Sequence, residues 1–194
     1  MVGSSRGILN LESLAEKPMP ACSPDRARAL EEACVWCLLS HDHKTETRLA
    51  FSDSAETAEY QVTWQGHASL AELSRVYNQD DGPEDGATAI ALLLVREHTP
   101  YTAVERSARG TGVDYWLDYD TGSSAHLFTD RRARLEVSGI YEENQGNSVR
   151  DRLSRKIRQA QLSGVDTPLY VVVVEFGSPR AEMVRRHERA SNAA

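Results

Sequence analysis

The chain is poor in the features that mark specialised environments. Its three cysteines, Cys22, Cys34 and Cys37, cannot all be paired, which suits a reducing compartment. No apolar run approaches the ~20 residues a bilayer-spanning helix needs. The opening Met1-Val2-Gly3-Ser4-Ser5-Arg6 lacks the apolar core of a secretory signal. A cytoplasmic protein with no membrane partner is the expectation. Lysine is scarce, 3 against 19 arginines, and the C-terminal half holds a single one, Lys156. Positive charge is lacking overall: the net charge of −7 argues against simple nonspecific attraction to polyanions. There is no nucleophile elbow and no Walker phosphate loop. Gly110-Thr111-Gly112 lacks a third glycine and leads into a strand, so it reads as a tight turn.

What is present is an ordinary globular composition. Of the 194 residues 40% are hydrophobic and 26% charged, enough for one cored domain or a domain with an appended lobe. Charge is uneven: residues 1–100 hold 16 acids and 8 bases, residues 101–194 hold 13 and 14. Residues 1–22 read as a loose lead-in. Residues 23–82 read as an acidic α+β region, with a helix over 24–40 capped by Ser23-Pro24, a hairpin over 47–51 and 58–64, and a short helix over 68–77. Residues 78–86, rich in Asp and Gly, read as a loop and the best internal boundary. From 83 to 194 the pattern is more regular. A nearly all-apolar helix over 87–98 precedes strands at 102–107, 113–119 and 133–140. A polar loop spans 120–131. An amphipathic helix over 147–163, closed by Gly164, leads to an apolar strand at 169–176, and the charged segment 179–190 reads as helical.

Two of those strands carry acids at alternating positions. Side chains alternate across a strand with period two, so Asp114, Trp116 and Asp118 share one face. Glu136 and Ser138 share a face of the next strand, with Leu135 and Val137 opposite. If the strands are neighbours, Asp114 and Glu136 converge. With the order helix, strand, strand, strand, helix, strand, this arrangement resembles the PD-(D/E)xK nuclease superfamily over about residues 87–176. The resemblance implies a mixed α/β protein: a restriction-endonuclease-like αβββαβ core with an N-terminal α+β addition. It further implies metal-dependent hydrolysis of phosphodiester bonds in nucleic acid, more readily DNA, in foreign-DNA defence or DNA processing. Asp114 matches the family's strand acid and Glu136-Val137-Ser138 its acid-x-Lys motif, with Ser138 where the family has lysine.

Lysines relocated to another element occur in that superfamily, and Lys156 is the candidate here. At about 100° per residue, Val149, Leu153, Ile157 and Ala160 form one stripe and Lys156 lies within it. A lysine facing the sheet needs an acidic partner. Two carboxylates at short range suit a hard divalent cation, Mg²⁺ or Mn²⁺. The Val137 carbonyl would complete the ligand set, with Glu105 or Glu97 as a further acid. Arg150, Arg152, Arg155 and Arg158 make the same helix basic, and Arg131, Arg132 and Arg134 lie near the Glu136 strand, which suits contacts to phosphates. Tyr115 and Trp116 are candidates for stacking on bases. Cys34, Cys37, His41 and His43 fall too close together for a structural zinc site, which draws its ligands from two separated pairs. The competing expectation is a catalytically inactive module, serving as a binding or scaffolding subunit for a partner protein. A homodimer is expected where both strands of a duplex are cut.

Overall fold

A computed structural model describes residues 5–66, 68–108, 110–120, 130–161 and 167–186. In chain order they form β1 (Ser5–Asn10), α1 (Ser13–Glu16), α2 (Pro24–Ser40), β2 (Thr47–Ser52), β3 (Thr57–Thr63), α3 (Leu70–Leu73) and α4 (Gly82–His98). These are followed by β4 (Tyr101–Arg106), β5 (Tyr115–Tyr119), β6 (Ala133–Ile140), α5 (Val149–Gln161), β7 (Leu169–Glu175) and β8 (Arg180–Arg186). The strands make one mixed sheet of eight, ordered β1-β3-β2-β8-β7-β6-β5-β4. None of the described helices is long and apolar enough to cross a membrane.

Local chemistry accounts for several boundaries. Ser23 accepts a hydrogen bond from the Arg26 N–H at 3.2 Å while Pro24 occupies the first helical position, as the sequence predicts. Ser69 and Glu72 cap α3 reciprocally, yet α3 lasts only four residues, well short of the expected 68–77. α4 begins at Gly82, inside the segment expected to be a loop. Pro83 loses nothing in a first turn, where its missing N–H has no helical partner. Glu84 and Asp85 suit the positive end of the helix dipole.

Strand alternation divides the core in two. Leu135 and Val137 of β6, with Leu117, Val172, Val174 and Met183, face α2 and α4. Ile140, Val171 and Val173 face Val149, Leu153 and Ala160 of α5. β7 is buried along its whole length, as its unbroken apolar run predicts for a strand covered on both faces. In β2 and β3 only one face is covered: Leu49, Phe51, Tyr60 and Val62 are buried while Arg48, Ala50 and Gln61 are exposed.

Three expectations are corrected. The lead-in is not loose, because Gly7 to Asn10 pair in parallel with β3 and Leu9, Leu11 and Leu14 are buried. Its partner lies some fifty residues on, beyond the reach of any local pattern. The segment from 180 to 186 is strand rather than helix: β8 runs antiparallel to β7 with Ala181 and Met183 buried. The proposed boundary near residue 82 does not divide the sheet, since β2 pairs with β8 and α2 packs on α4 within one core. Gly164, most of the 120–131 loop and residues 187–190 lie outside the described residues.

From α4 onward the order matches the expectation. β4, β5 and β6 form an antiparallel meander, and α5 returns the chain to β7, parallel to β6. A methyl group at Gly139 would overlap the Pro83 carbonyl, so the first turn of α4 rests directly on β6. That close approach positions Glu84.

Candidate active site

β5 pairs with β6 through Tyr115–Leu135, Trp116–Arg134 and Leu117–Ala133. Asp114 stands one residue before this ladder and lines the same cleft as Glu136. The Asp114 N–H donates to the Leu135 carbonyl at 2.9 Å, which ties Asp114 to β6 one residue out of step with the ladder. Asp114 Oδ2 then accepts the Val137 N–H at 2.8 Å. In an extended strand the N–H and C=O of one residue leave the same edge, so the Val137 carbonyl faces that side too.

Beyond Asp114 the edge of β6 pairs with no strand among the described residues, and α4 supplies a partner. Glu84 Oε2 accepts the Gly139 N–H at 3.0 Å and Oε1 accepts the Ser138 hydroxyl at 3.1 Å. Two successive edge N–H groups thus end on two carboxylates. Composition alone does not point to Glu84, because the Asp- and Gly-rich segment around it reads as loop. The signal was present: a proline followed by two acids is the signature of a helix start.

Lys156 reaches the site. Its Nζ donates to Glu136 Oε1 at 2.7 Å, with the two side chains 19% and 4% exposed. Burial raises the Glu136 pKa, and the charge of Asp114 raises it further; Lys156 opposes both, and the result is about 7. Burial works against the Lys156 charge, but Glu136, with Glu84 and Asp114 behind it, overrides that and leaves the pKa raised. The lysine therefore stays protonated among three acids, and Glu136 sits at the edge of ionisation near neutrality.

Arg152 belongs to the same constellation. It donates to Asn147 Oδ1 at 2.8 and 3.1 Å and to Ser138 Oγ at 3.4 Å, and lies 3.9 Å from Glu84. Arg155 is exposed and touches Asn147 Oδ1 at 3.4 Å. Arg150 and Arg158 are exposed but project elsewhere: at about 100° per residue they lie roughly 120° and 160° around the helix from Lys156. Arg134 is fully buried and donates to the Ala160 and Thr167 carbonyls at 3.4 and 3.0 Å, tying down the C-terminal end of α5. It offers nothing to a phosphate. Glu105 does not join the acids: its carboxylate is held by Arg131 through two hydrogen bonds of 2.9 Å. Glu97 is exposed on the last turn of α4. Tyr115 is buried and Trp116 partly so.

A cleft of about 570 Å³ opens over Asp114, Glu136 and Lys156, walled by Arg106, Ser107, Ala108, Gly110, Gly112 and Val113 and by Gln159. Gly112 has φ +74°, and a side chain there would press on the Gln159 carbonyl at 3.2 Å, so glycine lets the turn abut α5. Among the described residues no three or more His, Cys, Asp or Glu side chains form a ready-made metal cage. What the fold offers a cation is smaller: two facing carboxylates and a strand carbonyl, the oxygen donors a hard divalent ion takes. Cys34 and Cys37 are buried in the core, and burial pushes their thiols well above the ordinary range. They are packing residues. No protein family, curated protein or solved structure matches this chain.

Proposed function

We propose that the protein is a metal-dependent nuclease, hydrolysing phosphodiester bonds in nucleic acid at the Asp114/Glu136 cleft. The observation that carries the reading is the convergence of Asp114, Glu136 and Lys156 from three separate elements on one open cleft. The element order, the antiparallel meander and the parallel return through α5 support a restriction-endonuclease-like core. Lys156 supplies from α5 the cation that Ser138 cannot.

Asp114, Glu136 and the Val137 carbonyl would hold Mg²⁺ or Mn²⁺. When bound, such an ion offers a Lewis acid that strengthens water as a nucleophile and offsets charge on the phosphoryl and leaving oxygens. The remaining roles fall to the chain. Glu136 must be ionised to act as a ligand, and the raised pKa means that it is only partly so at neutrality. Lys156 holds three donor protons beside that carboxylate, positioned to orient a water and to balance phosphate charge. Arg152, anchored by Asn147, keeps Ser138 and Glu84 in place behind the cleft.

The test is cleavage of duplex DNA, single-stranded DNA and RNA with Mg²⁺ or Mn²⁺, comparing wild type with Asp114→Ala and Glu136→Ala. Each substitution is expected to abolish cleavage while leaving the far-ultraviolet circular dichroism unchanged. Full activity in either variant would overturn the assignment. A wild type that cuts none of the substrates would favour the binding-module reading instead.

A further inference from the structure

Two residues along the chain from Asp114, on β5, a second constellation stands outside the cleft. The guanidinium of Arg131 lies over the Trp116 ring, 5.1 Å from its centroid. Glu105, the cross-strand neighbour of Trp116, grips that guanidinium with both carboxylate oxygens. Arg131 is 49% exposed, and its backbone adopts φ +46°, a left-handed conformation uncommon for a residue with a side chain. The carboxylate fork and the indole together fix the guanidinium, and about half of the side chain stays open to solvent. Beside it Arg132 lies 5.7 Å from the centroid of the 47%-exposed Tyr119 ring and pairs with Asp118 and Asp130.

The charges on this strip are already spent. Both arginines are paired with acids, so the surface has little to offer a phosphate. What it offers is flat, polarisable area: an indole with a guanidinium layered on it, and a phenol ring at the strand end. Guanidinium planes and aromatic rings take unstacked nucleobases, and such contacts tolerate any sequence. A duplex keeps its bases stacked and inaccessible.

We infer that the Trp116–Arg131 layer is a stacking post for an unpaired base next to the bond to be cut, which makes the substrate single-stranded, or duplex with a frayed end. The inference rests on the nuclease reading for its setting, but its test does not require cleavage. In chelator, binding of fluorescein-labelled single-stranded DNA and RNA oligonucleotides is compared with binding of the same-length DNA duplex. Wild type is expected to prefer the single strands. Trp116→Leu and Arg131→Ala should each weaken single-strand binding about tenfold, the scale of one lost base stack. Arg131→Lys keeps the charge and loses the plane, so it should behave like Arg131→Ala. Because stacking releases no counterions, the slope of log affinity against log salt should stay that of the wild type.

Equal binding by wild type and variants, equal affinity for duplex, or a shallower salt slope in the variants would each overturn the stacking post. So would a wild type that binds no oligonucleotide. Arg131→Lys touches only a surface side chain and keeps the test open should Trp116→Leu fail to fold. Cleavage measured alongside separates the two readings. Trp116-dependent binding without cleavage would defeat the nuclease and leave the post standing. Cleavage that needs Glu136 but is indifferent to Trp116 and Arg131 would do the reverse.

Discussion

At the scale of single residues, Glu136 concentrates the chemistry. It is 3% exposed, faces Asp114 and is paired with Lys156, and its pKa is raised from 4.5 to about 7 by burial first and by Asp114 second. A carboxyl with a raised folded-state pKa stabilises the fold fully below the unfolded value, and that contribution is lost as pH rises through the folded value. The window here runs from about pH 4.5 to about 7, with a magnitude on the order of 3 kcal/mol. The urea midpoint of the metal-free protein should therefore fall between pH 5 and pH 8, and Glu136→Gln should flatten that fall. The same proton competes with a cation. Mn²⁺ affinity measured by calorimetry should rise about tenfold from pH 6 to pH 8, following the ionised fraction of a group titrating near 7. A pH-independent affinity would exclude Glu136 as a ligand.

At the scale of elements, the site depends on how closely α4 and α5 approach β6. Gly139 allows the first: an added methyl would overlap the Pro83 carbonyl, which is backbone and cannot swing aside. Gly139→Ala should cost about 3 kcal/mol, the upper part of the range for overpacking, and should release Glu84 from the strand edge. Gly146→Ala, where a methyl would meet only Asn144 Oδ1 at 3.7 Å, should stay within about 0.5 kcal/mol. Thermal melts of the two variants separate the outcomes. On α5 the arginines do not act as a set. Arg155 lies about 40° around the helix from the cleft residue Gln159 and Arg150 about 180°, so Arg155→Ala should raise KM for a nucleic acid substrate while Arg150→Ala leaves it unchanged. Equal effects would mean that the whole helix surface, rather than the cleft side, meets the phosphates.

At the scale of the whole molecule, the N-terminal half is structural support for the C-terminal half. α2 covers the apolar face of α4, β2 continues the sheet beyond β8, and Leu9, Leu30, Val35 and Tyr60 share one core with Val137 and Val174. A fragment of residues 83–194 would expose the α4 face and leave β8 as an open edge, a template for aggregation. It should be unfolded or insoluble when expressed alone. A cooperative thermal transition in that fragment would restore the boundary expected from composition.

Much of the second half was legible in the sequence. The amphipathic period of α5 and the apolar run of β7 are local patterns, and each appears as such, whereas β5 begins at Tyr115 and leaves Asp114 just before the strand expected to carry it. The alternation placed Asp114 and Glu136 on matching faces, and the helical period placed Lys156 within the apolar stripe of α5. The sequence by itself thus determined which residues face inward, because that follows from the periods of helix and strand. Only the tertiary structure decided which of them meet. β1 finds its partner some fifty residues on, β8 is strand because β7 and β2 flank it, and Glu84 reaches β6 because Gly139 lets α4 settle onto the sheet. Arg134 and Glu105, equal to their neighbours as charges on paper, were removed from the site by burial and by Arg131. Pairing, burial and close approach are properties of residues distant along the chain, and no local period encodes them.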